Sequence, residues 1–283
     1  MRRLIILTFL IFMGTSGATT WAGPLRFAPL PMENRETLVK QYRPLVVFLE
    51  SKTGVPIEFD FSDSYDEILE KIKTGKVDLA YLGPLPYVQL RETFPNAEPL
   101  VHFNESSGEP MYTCAIISMA DSKLDLKNAH NYRFALTQPL STCGYLSTNG
   151  LLMQMGSELS NNRYRYLDKH DAVALAVVRG EFDAGGIKTA IWKKYLHMGL
   201  VILAETSPLP SFALVANRMT MPEKAMQAIR DCLVELKPDG ADKEMLASWG
   251  ENIRYGAVKA SDTDYDVIRK LKGNVIIPTA DKD

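Results

Sequence analysis

Short apolar runs alternate with amphipathic stretches along most of the chain. Residues 25–30 form an apolar run typical of a buried strand, and residues 35–51 repeat apolar side chains at helical spacing. Residues 55–61 and 77–82 are two further strand-like runs. Because strands and helices alternate in this order, the pattern predicts an α/β fold built on a mainly parallel sheet flanked by helices.

One segment of this pattern occurs twice. In each copy a short helix ends at a glycine and leads into a buried strand, and in the first copy Ser64 and Glu67 form a capping pattern that opens the helix. The copies match without a gap at one fixed offset, which pairs Tyr65, Asp66, Gly75 and Asp78 with His170, Asp171, Gly180 and Asp183. Arg26-Phe27-Ala28 is loosely repeated in Arg133-Phe134-Ala135. The repeat predicts two similar α/β lobes.

Two β-branched, apolar runs stand where the chain would cross between these lobes. They are residues 111–119 and 211–216, and we expect hinge strands near 113–117 and 211–216. Helical patterns over 222–236, 243–250 and 265–271 would then return to the first lobe. The predicted organisation is a leader over 1–22, a first lobe over 23–112 and 216–283, and a second lobe over 113–215. A cleft between two lobes is a preferred position for a ligand.

The N-terminus has the pattern of a secretory leader. Arg2 and Arg3 precede an apolar run over residues 4–13, and small residues follow as far as a cleavage point after Ala18 or Ala22. The run is too short to span a bilayer, and no cysteine lies near either cleavage point to carry a lipid. We therefore expect a protein that is free in the periplasm.

Charge and cysteine content narrow the class further. The formal net charge is −2, and removal of the two leader arginines would make it about −4, which disfavours nucleic acid as a partner. Three cysteines are an odd number for an oxidising compartment, so at least one is free or pairs with another chain. A bridge between Cys114 and Cys143 is one of the pairings that the sequence allows.

The residues best suited to bind a ligand are donors to an oxyanion. The run 141–145 (Ser-Thr-Cys-Gly-Tyr) follows a predicted strand and opens a predicted helix, so its hydroxyls, backbone N–H groups and the helix dipole could hold an anion. Tyr65 and His170 occupy equivalent first-turn positions and would face each other across the cleft. Lys188 follows the second repeated strand and would add a positive charge. The alternative is that Ser141 or Thr142 merely caps its helix, that His170 caps or lies on the surface, and that Lys188 is solvated.

An enzyme is the weaker alternative. Cys143 and His170 could be imagined as a nucleophile and base in an esterase or thiol enzyme, but no Gly-x-Ser-x-Gly elbow or cysteine-protease signature is present. None of the four histidines forms a His-x-x-x-His pair, and no glycine-rich nucleotide loop occurs. We therefore predict no catalysis, no cofactor and no metal.

Four segments together resemble a known family. The run 141–146 (Ser-Thr-Cys-Gly-Tyr-Leu) resembles the Ser-Thr-Ser-Gly-Tyr/Phe-Leu motif of the phosphonate-binding periplasmic proteins of ABC transporters. Asp63-Ser64-Tyr65 resembles the family's Asp-Tyr before the second helix. Residues 78–83 resemble its Asp-Ile-Ala-Trp-Tyr-Gly strand, and residues 170–177 its His-Glu-x-x-Ala-Leu-Ala-Val helix. These segments cover nearly all of the chain after the leader, in order.

The resemblance implies a type II periplasmic-binding fold and a set of ligand-binding residues. In such a fold Ser141, Thr142 and Cys143 would hold the oxygens of the ligand, and Tyr65 and His170 would complete the shell. Cys143 replaces the family's second serine, and Leu82 stands where the family has a cleft tyrosine. The expected ligand-binding set is Tyr65, Leu82, Ser141, Thr142, Cys143, His170 and Lys188.

The ligand class follows from the same comparison of motifs. Relatives that take an aminoalkyl ligand use acidic residues to hold its ammonium group, whereas the matching places here are Ala190 and residues 207–211, which include no carboxylate. A simpler anion such as phosphate, phosphite or an alkyl phosphonate agrees better with Lys188. We expect a monomeric binding component of an ABC importer that docks on a membrane permease. A periplasmic sensor that feeds a signalling receptor is the alternative.

Overall fold

The computed structural model describes residues 23–283, so the predicted leader lies outside the described residues. The strands are β1 (Leu25–Ala28), β2 (Ile57–Phe59), β3 (Leu79–Leu82), β4 (Ala97–Phe103), β5 (Met111–Tyr112), β6 (Cys114–Met119), β7 (Arg133–Leu136), β8 (Arg163–Tyr166), β9 (Ala184–Lys188), β10 (Leu200–Glu205), β11 (Leu209–Pro210), β12 (Ala213–Asn217) and β13 (Ala257–Lys259). The α-helices are α1 (Arg35–Thr53), α2 (Tyr65–Lys73), α3 (Pro84–Thr93), α4 (Ser147–Gln154), α5 (His170–Val178), α6 (Thr189–Tyr195), α7 (Glu223–Val234), α8 (Lys243–Ala247) and α9 (Asp266–Lys272).

These elements form two sheets, each with its own hydrophobic core. The first sheet has six strands in the order β13-β4-β12-β3-β1-β2, and the second has five in the order β10-β6-β9-β7-β8. Apolar side chains cover both faces of each sheet. Because inner strands are buried on both faces, β3 and β12 are fully buried runs of mostly apolar residues, whereas the edge strands β2 and β8 mix charged and apolar residues.

Each sheet is parallel on one side and contains one inserted strand that is antiparallel to both of its neighbours. In the first sheet the edge strand β13 is also antiparallel to β4. Strand β1 pairs in parallel with β2 and β3, and β7 pairs in parallel with β8 and β9. In contrast, β12 is antiparallel to β3 and β4, and β6 is antiparallel to β9 and β10. The inserted strand in each sheet is the one that has just arrived from the other sheet.

The link between the lobes differs from the predicted hinge. A two-stranded antiparallel ribbon of β5 and β11 joins them, with Leu209 opposite Tyr112 and Pro210 opposite Met111. The predicted hinge over residues 211–216 was placed too late, since β12 lies in the middle of the six-stranded sheet, where Ala213 pairs with Leu82. An apolar run buried between two strands has the same composition as a crossing strand, so the sequence pattern did not separate them.

The last residues of the chain correct the predicted lobe boundary as well. We expected residues 216–283 to belong to the first lobe, but the segment after α9 crosses to the second. Tyr164 of β8 exchanges two backbone hydrogen bonds with Lys282, each 2.9 Å long. Val275 and Ile277 pack against the second lobe's core. The C-terminal segment therefore covers the edge strand β8, which would otherwise present unpaired backbone groups.

The repeated sequence motif corresponds to a repeated set of contacts. The backbone N–H of Arg26 donates to Asp78 at 2.7 Å in the first lobe, and that of Arg133 donates to Asp183 at 2.7 Å in the second. Each guanidinium also donates to the same carboxylate. It donates as well to the carbonyl of the glycine that follows α2 in the first lobe and α5 in the second. In each lobe the arginine therefore ties the start of the first parallel strand to the helix–strand turn.

We expect the two aspartates to contribute unequally to stability. The Asp78 side chain is 7% exposed and that of Asp183 is 30% exposed, so Asp78→Ala leaves a more deeply buried N–H unpaired. It should lower the free energy of unfolding by about 2 kcal/mol, and Asp183→Ala by about 1 kcal/mol, in urea titrations. Asp239→Ala, at an exposed position, is the control. Equal losses in the two variants would contradict this prediction.

Candidate functional site

A small cavity lies between the two lobes, next to the ribbon that joins them. Its free volume is about 10 Å³, about the space for one water molecule. The lining residues come from both lobes and from the ribbon: Leu30, Tyr65, Gly83, Pro86, Tyr112, Ser141, Thr142, Cys143, His170, Lys188 and Phe212. Six of the seven predicted site residues are in this set. A tetrahedral oxyanion would need the two walls to separate slightly.

Three helices begin at the wall of this cavity. Tyr65 is the first residue of α2, His170 is the first residue of α5, and Gly83 is the N-cap of α3. Helix N-termini carry partial positive charge, and they lie here at the carboxyl ends of parallel strands, where ligands of α/β sheets bind. The site therefore has a positive potential that does not depend on charged side chains.

The Ser-Thr-Cys-Gly-Tyr run is not the regular helix start that the sequence predicted. Residues Thr142–Leu146 form one wide turn that is interrupted at Gly144, and α4 begins only at Ser147. Two amides are already used inside the turn, because Ser141 N–H donates to Gln138 O and Gly144 N–H donates to Ser141 O. The hydroxyls of Ser141 and Thr142, both buried, are further donors of this turn.

Two glycines allow this turn to lie directly on its neighbours. A Cβ at Gly144 would lie 2.8 Å from Thr137 Oγ1 and 3.0 Å from the Gln138 carbonyl oxygen. A Cβ at Gly186 in β9 would overlap Thr148 Oγ1 and lie 2.8 Å from the Cys143 carbonyl oxygen. A larger residue at Gly144 would push the turn away from the segment that follows β7, and a larger residue at Gly186 would push it away from β9.

A disulfide between Cys114 and Cys143 fastens the turn to the first residue of β6. It is the pairing that the sequence left open, and Cys232 is a free thiol whose burial raises its pKa to about 11. Since the Cys143 sulfur is bonded, it offers neither an S–H donor nor a nucleophile. The thiol-enzyme alternative loses its nucleophile, and Cys143 can contribute only through its backbone.

Thr142 connects the second lobe to the first across the cavity. Its Oγ1 accepts a hydrogen bond from the Leu85 N–H at 3.0 Å, and the bond is buried. Leu85 is the second residue of α3, where Pro84 and Pro86 on either side carry no N–H. Thr142 thus caps a helix of the opposite lobe, and its own hydroxyl proton remains able to donate to a ligand.

The imidazole of His170 is a neutral donor. Removal from solvent, together with the nearby Lys188 ammonium, lowers the His170 pKa to about 4. Its Nδ1 accepts the Lys188 backbone N–H at 3.1 Å, so in the neutral ring the proton is on Nε2. Burial likewise raises the pKa of the Tyr65 hydroxyl. Both side chains therefore present an uncharged donor near neutral pH.

Lys188 carries a charge that is already paired. Its Nζ lies 2.7 Å from both carboxylate oxygens of Glu105, which follows β4 in the first lobe. The ammonium also lies 5.2 Å from the ring centre of Tyr112 and 5.7 Å from that of Phe212. The interpretation of Lys188 as a free cation for the ligand was thus incomplete, because no pattern in the sequence connects residue 188 with residue 105.

Beside the small cavity is a larger one of about 170 Å³. His170, Lys188 and Phe212 line both. Glu105 lines only the larger cavity, so the Lys188–Glu105 pair lies between the two. Glu33, Asp171 and Glu251 add further carboxylates to the larger cavity, and Lys169 and Lys194 add ammonium groups. The carboxylates that were not found at the family's expected positions thus come from other parts of the chain.

Leu82 is the predicted site residue that the structure does not bring to the cavity. Its side chain is fully buried in the core of the first lobe, and the neighbouring Gly83 lines the wall instead. Tyr112 and Phe212 supply aromatic side chains there, and sequence analysis missed both as site residues. Each lies within a run that was predicted to cross between the lobes. Because such a run passes beside the cleft, that prediction could have identified both as site residues.

Two α/β lobes joined by a short ribbon, with an anion-suited cavity between them, define a two-lobed solute-binding protein. The chain belongs to the family described as ABC transporter, phosphonate, periplasmic substrate-binding protein, whose model matches residues 27–265. The resemblance inferred from the four sequence segments is therefore confirmed. This family assignment makes the chain the periplasmic binding component of an ABC importer, and the comparisons give no support to the sensor alternative.

Individual relatives agree with this assignment. The chain is 28% identical over 270 residues to the phosphate-import protein PhnD of Mycolicibacterium smegmatis, covering 87% of this chain and 84% of that protein. It is 24% identical over 182 residues to a probable phosphite-binding protein, PhnD1, of Prochlorococcus marinus, covering 61% and 60%.

A solved structure confirms the type II periplasmic-binding fold. It is PhnD1 of P. marinus in complex with methylphosphonate, which matches with a TM-score of 0.75 at 20% identity over 88% of this chain and 97% of that one. Within residues 23–283, no helix is long and apolar enough to cross a bilayer, and no cluster of side chains is suited to a metal ion.

Loss of the disulfide should destabilise the protein. The bridge closes a loop with a sequence separation of 29 residues, for which chain entropy gives about 3 kcal/mol. Replacing both Cys114 and Cys143 by Ser should lower the free energy of unfolding by that amount in urea titrations. Cys232→Ser is the matched control and should change stability by well under half as much. Equal effects of the two changes would contradict the role given to the bridge.

His170 should make stability depend on pH. The unfolded imidazole has a pKa near 6.5 and the folded one a pKa of about 4, so between these values the unfolded state binds more protons. Stability should therefore be highest above pH 6.5 and fall toward pH 4. His170→Asn, which keeps an acceptor for the Lys188 N–H, should reduce the loss between pH 7 and pH 5 by about 2 kcal/mol in unfolding titrations. An unchanged loss would show that His170 is not the responsible group.

Proposed function

We propose that the chain binds a small tetrahedral phosphorus oxyanion in the cavity between its lobes and delivers it to a membrane permease. The ligand class comprises phosphonate, phosphite and phosphate. The observation that carries the proposal is the convergence of Ser141, Thr142, Tyr65 and His170, all neutral donors, on one cavity where three helices begin. Oxyanions are bound at such helix N-termini by hydroxyl and N–H donors.

The names of the relatives support this ligand class. They include a phosphate importer, a probable phosphite-binding protein and a protein crystallised with methylphosphonate. All three anions share a phosphorus centre with oxygen acceptors, and they differ in the fourth substituent. The small cavity suits the shared part, and the adjoining cavity of about 170 Å³ leaves room for a substituent.

Thr142 provides a way for ligand binding to close the lobes. Its Oγ1 accepts from Leu85 of the first lobe, while its O–H donates to the bound anion. A hydroxyl that donates to an anion becomes a better acceptor, so the ligand strengthens the inter-lobe hydrogen bond. The same atom thus senses the ligand and joins the lobes, and the permease would recognise the closed form of a monomeric protein.

Substitution of Ser141 tests the site and the ligand class together. Titration calorimetry and thermal shift on the protein without its leader would compare phosphate, phosphite, methylphosphonate and sulfate. Ser141→Ala should weaken the bound phosphorus oxyanion about tenfold or more, because a hydrogen bond to a charged group is lost. Thr142→Val, which keeps the shape of the side chain, should weaken it at least as much.

The control is Ser248→Ala, an exposed serine of the first lobe, which should leave every affinity unchanged. Binding of a phosphorus oxyanion that is insensitive to both Ser141→Ala and Thr142→Val would contradict the proposed site. Absence of binding by every anion of the panel would contradict the proposed ligand class.

A further inference from the structure

The side chains at the small cavity carry almost no net charge, and its positive potential comes from the helix N-termini. Among the described residues that line it, Lys188 is the one with a charged side chain near neutral pH, since His170, Tyr65 and Tyr112 stay uncharged. Glu105 contacts the Lys188 ammonium with both carboxylate oxygens. What a ligand meets is therefore an ion pair with no net charge, hydroxyl and imidazole donors, and helix ends that carry fractional charge.

The pair is shielded from solvent on most sides. The side chains of Lys188 and Glu105 are 10% and 19% exposed, and the rings of Tyr112 and Phe212 lie beside the ammonium. Water screens such a pair only weakly. A change in the net charge of the pair would therefore be felt in the cavity at close to full strength. Glu105 lies on the larger cavity, with Lys188 between it and the anion position.

A neutral site discriminates between charge states of a ligand. The cost of removing an ion from water rises steeply with its charge, and the described residues that line the small cavity include no unpaired cation to offset a second negative charge. Singly and doubly charged forms of one oxyanion have the same hydrogen-bond acceptors and nearly the same size. A binding protein can therefore distinguish the two forms only through the charge of its site.

Building on the proposed function, we propose that Glu105 is a specificity-determining residue of this binding protein. By pairing with Lys188 it keeps the anion site neutral, and the site thereby selects singly charged over doubly charged tetrahedral oxyanions. Glu105 does this without touching the small cavity. Its removal leaves the hydroxyl and imidazole donors in place and frees one positive charge, whose attraction for a dianion is twice that for a monoanion.

Two ligands of equal shape measure this effect. Methanesulfonate carries one negative charge at every pH used, and methylphosphonate carries two above its second ionisation. For the wild-type protein, the affinity for methylphosphonate relative to methanesulfonate should fall as the pH rises through that ionisation. Using the ratio removes any common effect of protein titration or of lobe closure.

Glu105→Gln should raise this ratio about tenfold at high pH, measured by calorimetry at fixed ionic strength. The double variant Glu105→Gln/Lys188→Gln restores a neutral pair and should return the ratio to within about threefold of the wild-type value. Glu251→Gln removes a carboxylate that lines only the larger cavity, and it should leave the ratio unchanged.

An unchanged ratio in Glu105→Gln, with both anions still bound by the wild type, would overturn the role of Glu105 and leave the proposed function intact. A wild-type ratio that rises with pH would overturn it independently of any variant. If the wild type binds neither methylphosphonate nor methanesulfonate nor any other anion of the earlier panel, the proposed function is contradicted, and this inference with it.

Discussion

The rest of the structure depends on one constraint: a single chain builds two sheets and must pass between them twice. The ribbon of β5 and β11 carries two passages, and each arriving strand inserts antiparallel to both of its neighbours in the sheet. The inserted strands share main-chain hydrogen bonds with both neighbours, so the lobes can rotate about the ribbon but cannot separate. The candidate cavity lies beside these passages, and Lys188 pairs in register with Cys114, the first residue of β6.

Local signals in the sequence predicted much of this architecture. Ser64 accepts the Glu67 N–H as its capping pattern predicts, and α2 and α5 start at the matched residues Tyr65 and His170. The repeated arginine and aspartate make the same contacts in both lobes because the contacts connect the same two secondary-structure elements in each. Six of the seven candidate site residues also reach one cavity, since first turns of helices and ends of parallel strands meet at one edge of a sheet.

The features that sequence analysis missed depend on contacts between distant residues. Glu105 lies in a loop with no periodic pattern, and its contact with Lys188 runs from one lobe to the other. The C-terminal segment after α9 has no periodic pattern that predicts its partner, yet Lys282 pairs with Tyr164 on an edge strand. Leu82 was predicted in the site because of its position in residues 78–83, which resemble a family motif. The direction of its side chain depends instead on β-strand alternation, which turns it into the core. A shift of one residue along a strand reverses the face that a side chain occupies.

The Cys114–Cys143 disulfide also bears on how the protein matures. These are the first two cysteines of the chain, so in a polypeptide exported from its N-terminus they reach the oxidising compartment before Cys232 does. An oxidant that joins cysteines in order of appearance makes the native bond directly, and no isomerase is needed to correct it. Once folded, Cys232 is a half-buried thiol with a raised pKa and therefore a poor nucleophile toward that bond. The order of three residues along the chain thus spares a secreted protein a slow step of biogenesis.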